Sequence, residues 1–168
     1  MILQKCSIWK VAEVFFIEPT KTHFIKEISK KIDLAHTSVK KHVLDLIDLR
    51  LIRKSNSEVF PGYRANRENP DFIFYKKIFN FVSLKESKVV DYLKEKYPQS
   101  IILFGSYSKG EDIETSDIDI FIDCKKFKSD LKQYEKYLGR KIHLLFKEET
   151  NKSLTGNINQ GIVLFGER

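Results

Sequence analysis

The sequence predicts an α+β protein, a helical N-terminal part followed by a small mixed sheet, and three observations carry that expectation. Apolar residues recur at helical spacing from Ile8 to about Leu49. Short apolar runs of strand length, Ile101–Phe104, Ile118–Ile122 and Lys141–Phe146, gather in the second half. Between the first two of these lies a stretch, GSYSKGEDIETSD, that reads as a small-residue turn followed by a polar helix or loop.

At 168 residues, 42% hydrophobic and 32% charged, the chain has a globular composition and room for one domain or two small ones. No repeat or low-complexity tract interrupts it, and no apolar run approaches the roughly 18 residues of a membrane span. Met1–Ser7 lacks the basic and apolar segments of a secretory leader. Cys6 and Cys124 do not have a metal-binding spacing, so the expectation is a cytosolic, disulfide-free protein without a membrane partner. The net charge of +7 is concentrated N-terminally, with +6 of it in residues 1–80. A basic N-terminal half points to a polyanionic partner, nucleic acid ahead of membrane.

In chain order, Ile8, Trp9, Val11, Ala12, Val14, Phe15 and Phe16 predict a first helix ended by Pro19. Thr22 is placed to cap a second, with Phe24, Ile25, Ile28 and Ile32 inward. A turn over Asp33–Ala35 leads to a third, about His36–Leu49, whose Val39, Val43, Leu46 and Ile47 face inward. Its front carries Thr37, Ser38, Lys40 and Lys41, the hydroxyl and basic groups that a major-groove helix uses. Leu51–Lys54 and Val59–Phe60 then flank a polar tip as a two-stranded ribbon, with Tyr63 and Arg64 just beyond. The histidines His36 and His42 have no neighbouring thiol or carboxylate ligands and read as polar surface. On "LAHTSVKKHVLDLIDLRLIRK" above all, the segment Ile8–Asn66 resembles a winged helix-turn-helix. The resemblance implies double-stranded DNA as partner, and the aromatic first helix offers a face for a second copy of the chain. We place this domain at 1–68.

Asn66–Asp71 reads as a link, and an aromatic-rich helix from Phe72 to Val82 as a connector, together 69–86. Ser87–Tyr97 is a further helix, broken by Pro98. Ser129–Leu138 is another, closed by Gly139; Leu154–Ile158 can be helical, and Ile162–Phe165 is a short strand or tail.

The chemistry concentrates in Gly105–Asp123. Gly105 and Ser106 can bring backbone N–H groups and a hydroxyl close to a phosphate. Asp117 and Asp119, one residue apart in a strand, point two hard oxygen ligands to one face, which suits Mg2+ bound to a nucleotide. Gly-Ser, ten residues, then Asp-x-Asp, with Lys109-Gly110-Glu111 and Ser116 in between, resembles the signature of the polymerase beta-type nucleotidyltransferases, particularly the minimal ones, over residues 87–168. The resemblance implies Asp117 and Asp119 as catalytic Mg2+ ligands, and Gly105, Ser106 and Lys109 as the cradle of an NTP, ATP first. It implies a hydroxyl acceptor, with a protein or an antitoxin's toxin partner among the candidates.

The third strand departs from the family pattern. A third carboxylate is usual where this chain has His143. Imidazole is a softer ligand that Mg2+ accepts poorly. Three readings stay open: His143 is a general base, Glu148 or Glu149 reaches in, or the site holds nucleotide without efficient transfer, as in a regulator or antitoxin-type protein. A one-residue shift of strand register would instead turn His143 away from the site.

Overall fold

The computed structural model describes residues 5–55 and 61–167. The chain divides into two compact units, residues 1–76 and 77–168.

The first unit packs α1 (Ser7–Ile17), α2 (Ile25–Ile32) and α3 (His36–Asp48) around Val11, Phe15, Ile28, Val39 and Val43. The apolar stripes predicted for these helices form its core. The cap of α2 differs from expectation. The helix begins two residues later than a Thr22 cap requires, and the Glu27 carboxylate accepts from the Phe24 N–H at 3.4 Å. Thr22 instead lies against the ribbon, where its methyl would stand 2.5 Å from a Cβ at position 62, a place that only glycine fills without displacement. Asp33 ends α2 in the left-handed region at φ 49°, which turns the chain into α3.

Strands β1 (Ile52–Ser55) and β2 (Gly62–Ala65) pair antiparallel, with Ile52 opposite Ala65. The expected second strand at Val59–Phe60 lies outside the described residues. Tyr63 and Arg64, read as lying beyond the ribbon, are within β2. A further bridge joins Tyr63 to His23, with backbone hydrogen bonds of 2.8 and 2.9 Å, so the chain before α2 adds to the ribbon.

α4 (Pro70–Glu86) starts earlier than expected, and the reason is local. Asn69 Oδ1 accepts from the N–H groups of Asp71 and Phe72 at 2.7 and 3.4 Å, making it the N-cap, and Pro70 takes the first helical position where no N–H is needed.

The second unit is built on a four-stranded sheet of order β5-β4-β3-β6. β3 (Ser100–Phe104) is central and pairs antiparallel with β4 (Ile118–Ile122) and with β6 (Ile162–Gly166); β4 pairs parallel with β5 (Ile142–Phe146). The element read as strand or tail is therefore an edge strand. α5 (Val89–Lys94), α6 (Gly105–Lys109), α7 (Lys132–Leu138) and α8 (Lys152–Asn159) complete the unit. Alternation along the strands divides the core. Ile101, Leu103, Ile118, Ile120, Ile122 and Ile142 pack on one face with Val89 and Leu93 of α5. Ile102, Phe104, Phe121 and Leu145 pack on the other, under Ile158 of α8.

Candidate active site

The site forms where β3 ends and β4 and β5 begin. Asp119 is opposite Phe104 in one ladder and beside His143 in the other. It interrupts the isoleucines of β4, so its side chain leaves the sheet on the face carrying Phe121 and Leu145. His143 leaves on the same face, and its Nδ1 lies 3.2 Å from Asp119 Oδ1. The alternative in which His143 turns away is excluded, because the register puts the two residues side by side.

The other carboxylate oxygen is equally confined. Gly105 follows β3 directly and has φ +74°; a Cβ there would stand 2.5 Å from Asp119 Oδ2. Glycine is thus needed twice, for its left-handed backbone and for the close approach of the carboxylate. Asp119, Gly105 and His143 form one constellation.

Asp117 differs from expectation in detail. It precedes β4 rather than lying inside it and is exposed, while the chain enters the strand at Ile118, whose N–H donates to Lys141 O at 2.8 Å. Ser106 is half-buried in α6, and Lys109 is exposed at the C-terminal end of that helix. Glu149 is committed elsewhere: it pairs with Lys126 and accepts from the Phe146 N–H at 3.2 Å, and these contacts hold its carboxyl below the usual range. In the first unit, Thr37, Lys40 and Lys41 are exposed along the start of α3 and Ser38 is half-buried. His42 is turned inward, 2.7 Å from Ser7 Oγ and 3.4 Å from Asp45 Oδ2.

A buried network lies behind the site. Asp112, fully buried, pairs with Arg140 Nη2 at 3.0 Å. Arg140 also donates to the carbonyls of Ile113 and Ser116, so the loop that delivers Asp117 is fastened from the segment entering β5. Asn80 of α4 donates to Asp112 Oδ1 at 2.7 Å and to Tyr107 O at 2.9 Å. Burial, then the Asp112 charge, pushes the Tyr107 phenol above its ordinary range, so it serves the network as a neutral hydroxyl. An arginine next to Lys141 looks like ordinary surface charge in the sequence; only the fold brings it to Asp112.

Among the described residues, no three His, Cys, Asp or Glu side chains gather closely enough to hold a metal ion by themselves. What the chain provides is a carboxylate pair, Asp117 and Asp119. That donor set fits Mg2+, which commonly takes one or two carboxylates together with substrate phosphates and water.

Comparison with known proteins agrees with this geometry. Three proteins of Methanocaldococcus jannaschii, each named as a proposed protein adenylyltransferase, are similar to part of this chain. One is 40% identical over 65 residues, covering 33% of this chain and 65% of that protein. Another is 54% identical over 50 residues, 28% of this chain and 51% of that protein. A third is 50% identical over 62 residues, 33% and 63% respectively. The chain thus spans about half to just under two thirds of the length of these relatives. No solved structure matches. With its mixed sheet and its Gly-Ser and Asp-x-Asp elements brought together at one strand end, the segment 86–166 matches the nucleotidyltransferase domain family.

Proposed function

We propose that this protein transfers the nucleoside monophosphate of an NTP, ATP first, to a hydroxyl on a protein acceptor, and that residues 1–68 form a winged helix that docks on double-stranded DNA. The observation that carries the transferase reading is the constellation of Gly105, Asp119 and His143, on which the β3 turn, β4 and β5 converge. The names of the similar M. jannaschii proteins favour adenylyl transfer to protein.

In this reading, backbone N–H groups at Gly105 and Ser106 receive the triphosphate, and the ammonium of Lys109 offsets its charge. Asp117 and Asp119 would hold Mg2+, which neutralises phosphate charge as it develops. The acceptor oxygen attacks the α-phosphorus in line, the bond to the bridging oxygen breaks, and pyrophosphate leaves. His143 has a role of its own. With Nδ1 held 3.2 Å from Asp119 Oδ1, the ring leaves Nε2 to take the hydroxyl proton. Incubation with ATP labelled at the α-phosphate, Mg2+ and candidate acceptors tests this. Label is expected on protein, and incorporation unchanged by Asp117→Ala with Asp119→Ala would sink the site.

A second reading is favoured by the histidine in place of a third carboxylate: a DNA-binding regulator whose C-terminal domain holds a nucleotide without turnover. Calorimetric binding of ATP without label transfer, and transfer appearing in His143→Asp, is its signature. The winged-helix proposal is supported by three helices followed by an antiparallel ribbon, with exposed Thr37, Lys40 and Lys41 at the front of α3.

A further inference from the structure

The same strands carry a second feature at their other end. Four residues along β3 from Phe104, at about 13 Å by the rise of a strand, Ser100 pairs through its carbonyl with the N–H of Asp123 at 2.9 Å. There a cleft of about 640 Å³ is lined by Lys96, Lys125, Lys126 and Lys147. Two carboxylates, Asp123 and Glu148, share the lining; Lys147 holds Asp123 at 2.9 Å, and Lys126 is taken by Glu149. Lys96 lies over aromatic rings instead, 5.1 Å from the centroid of Tyr92 and 5.9 Å from that of Phe127. The cleft combines ammonium groups with ring faces.

Tyr97 on its rim is the unusual residue. It has φ +52° where the last turn of α5 closes, its N–H donating to Lys94 O at 3.0 Å. The turn leaves its side chain 92% exposed. A ring that is neither packed nor hidden beside a basic cleft is open to a planar ligand. An exposed aromatic face beside lysines suits unstacked bases and the phosphates that join them, since stacking accepts any base and cations follow the backbone. A duplex keeps its base faces covered, so it matches this rim poorly.

We propose that this cleft binds single-stranded nucleic acid, with a base stacked on Tyr97 and phosphates at Lys96 and Lys125. The inference is independent of the transferase reading and of duplex binding by α3. It is tested with the full chain and fluorescein-labelled twelve-nucleotide oligo(U) and oligo(dT), read by anisotropy at low salt. Binding of either strand supports the cleft; RNA alone adds recognition of the 2′-hydroxyl. Tyr97→Gly removes the ring and relieves the backbone, so it should melt no lower than the parent while binding falls roughly five- to a hundredfold. Tyr97→Phe should retain binding. Lys96→Ala with Lys125→Ala should reduce the salt slope by about 1.4, for two phosphate contacts on a single strand. Absence of binding by the parent, binding unmoved by Tyr97→Gly, or binding abolished by Lys40→Ala with Lys41→Ala would each overturn the proposal.

Discussion

Gly105 and Asp119 are coupled at the level of single atoms, and the coupling has a measurable consequence. In Gly105→Ala the new methyl would meet Asp119 Oδ2 at 2.5 Å on a backbone of φ +74°. A loss of about 1–3 kcal/mol in stability is expected, from the left-handed backbone and the displaced carboxylate. It should be accompanied by loss of label transfer, and thermal melting with the incorporation assay checks both. A second residue-scale effect lies in the first unit. Lys21 at 2.6 Å, and Lys31, lower the Glu18 pKa to about 2. The unfolded chain takes up this proton near pH 4.5 while the folded chain keeps the carboxylate charged, so stability rises with pH in that range. The contribution is complete above about pH 4.5 and is lost as pH falls towards about 2. Melting scans over this window should show Glu18→Gln with a flatter acid limb than the parent.

At the scale of elements, the loop from Gly110 to Asp117 has little regular structure and depends on contacts from α4 and from the segment before β5. Arg140 and Asp112 are 6% and 0% exposed, so removing one partner deprives the other buried charge of this ion pair. Asp112→Ala is expected to cost about 3–5 kcal/mol. Adding Arg140→Met should cost less than the sum of the two single changes, because the second substitution removes the stranded charge. Urea titrations of the single and double variants measure this difference. Helix starts illustrate a different limit on reading elements from sequence. Asn69-Pro70 carries the ordinary signal of a cap and a first helical residue, yet a run of polar residues around it reads as linker. Thr22 has the right chemistry for a cap, but its place is against Gly62, which belongs to a strand some forty positions away.

Across the whole molecule, the two units should be separable in function. Asp117→Ala with Asp119→Ala should abolish label transfer and leave duplex DNA binding unchanged. Lys40→Ala with Lys41→Ala should weaken duplex binding and reduce its salt slope by about 1.8, for two phosphate contacts, while transfer continues. Incorporation assays and anisotropy at several salt concentrations check the pair. No helix among the described residues is long and apolar enough to cross a membrane.

What the sequence by itself determined was the α+β class, the core faces of the helices and strands, and the Gly-Ser and Asp-x-Asp pattern. These depend on local periodicity and on spacing within a short stretch, both of which one chain displays directly. Only the tertiary structure decided that β5 lies parallel beside β4 in the register that brings His143 to Asp119. Only it closed Asp112 with Arg140 behind the loop, and brought four lysines and Tyr97 to one cleft. Each of these joins residues distant along the chain, and strand register, which sets the face of every side chain, is a property of pairing rather than of either strand alone.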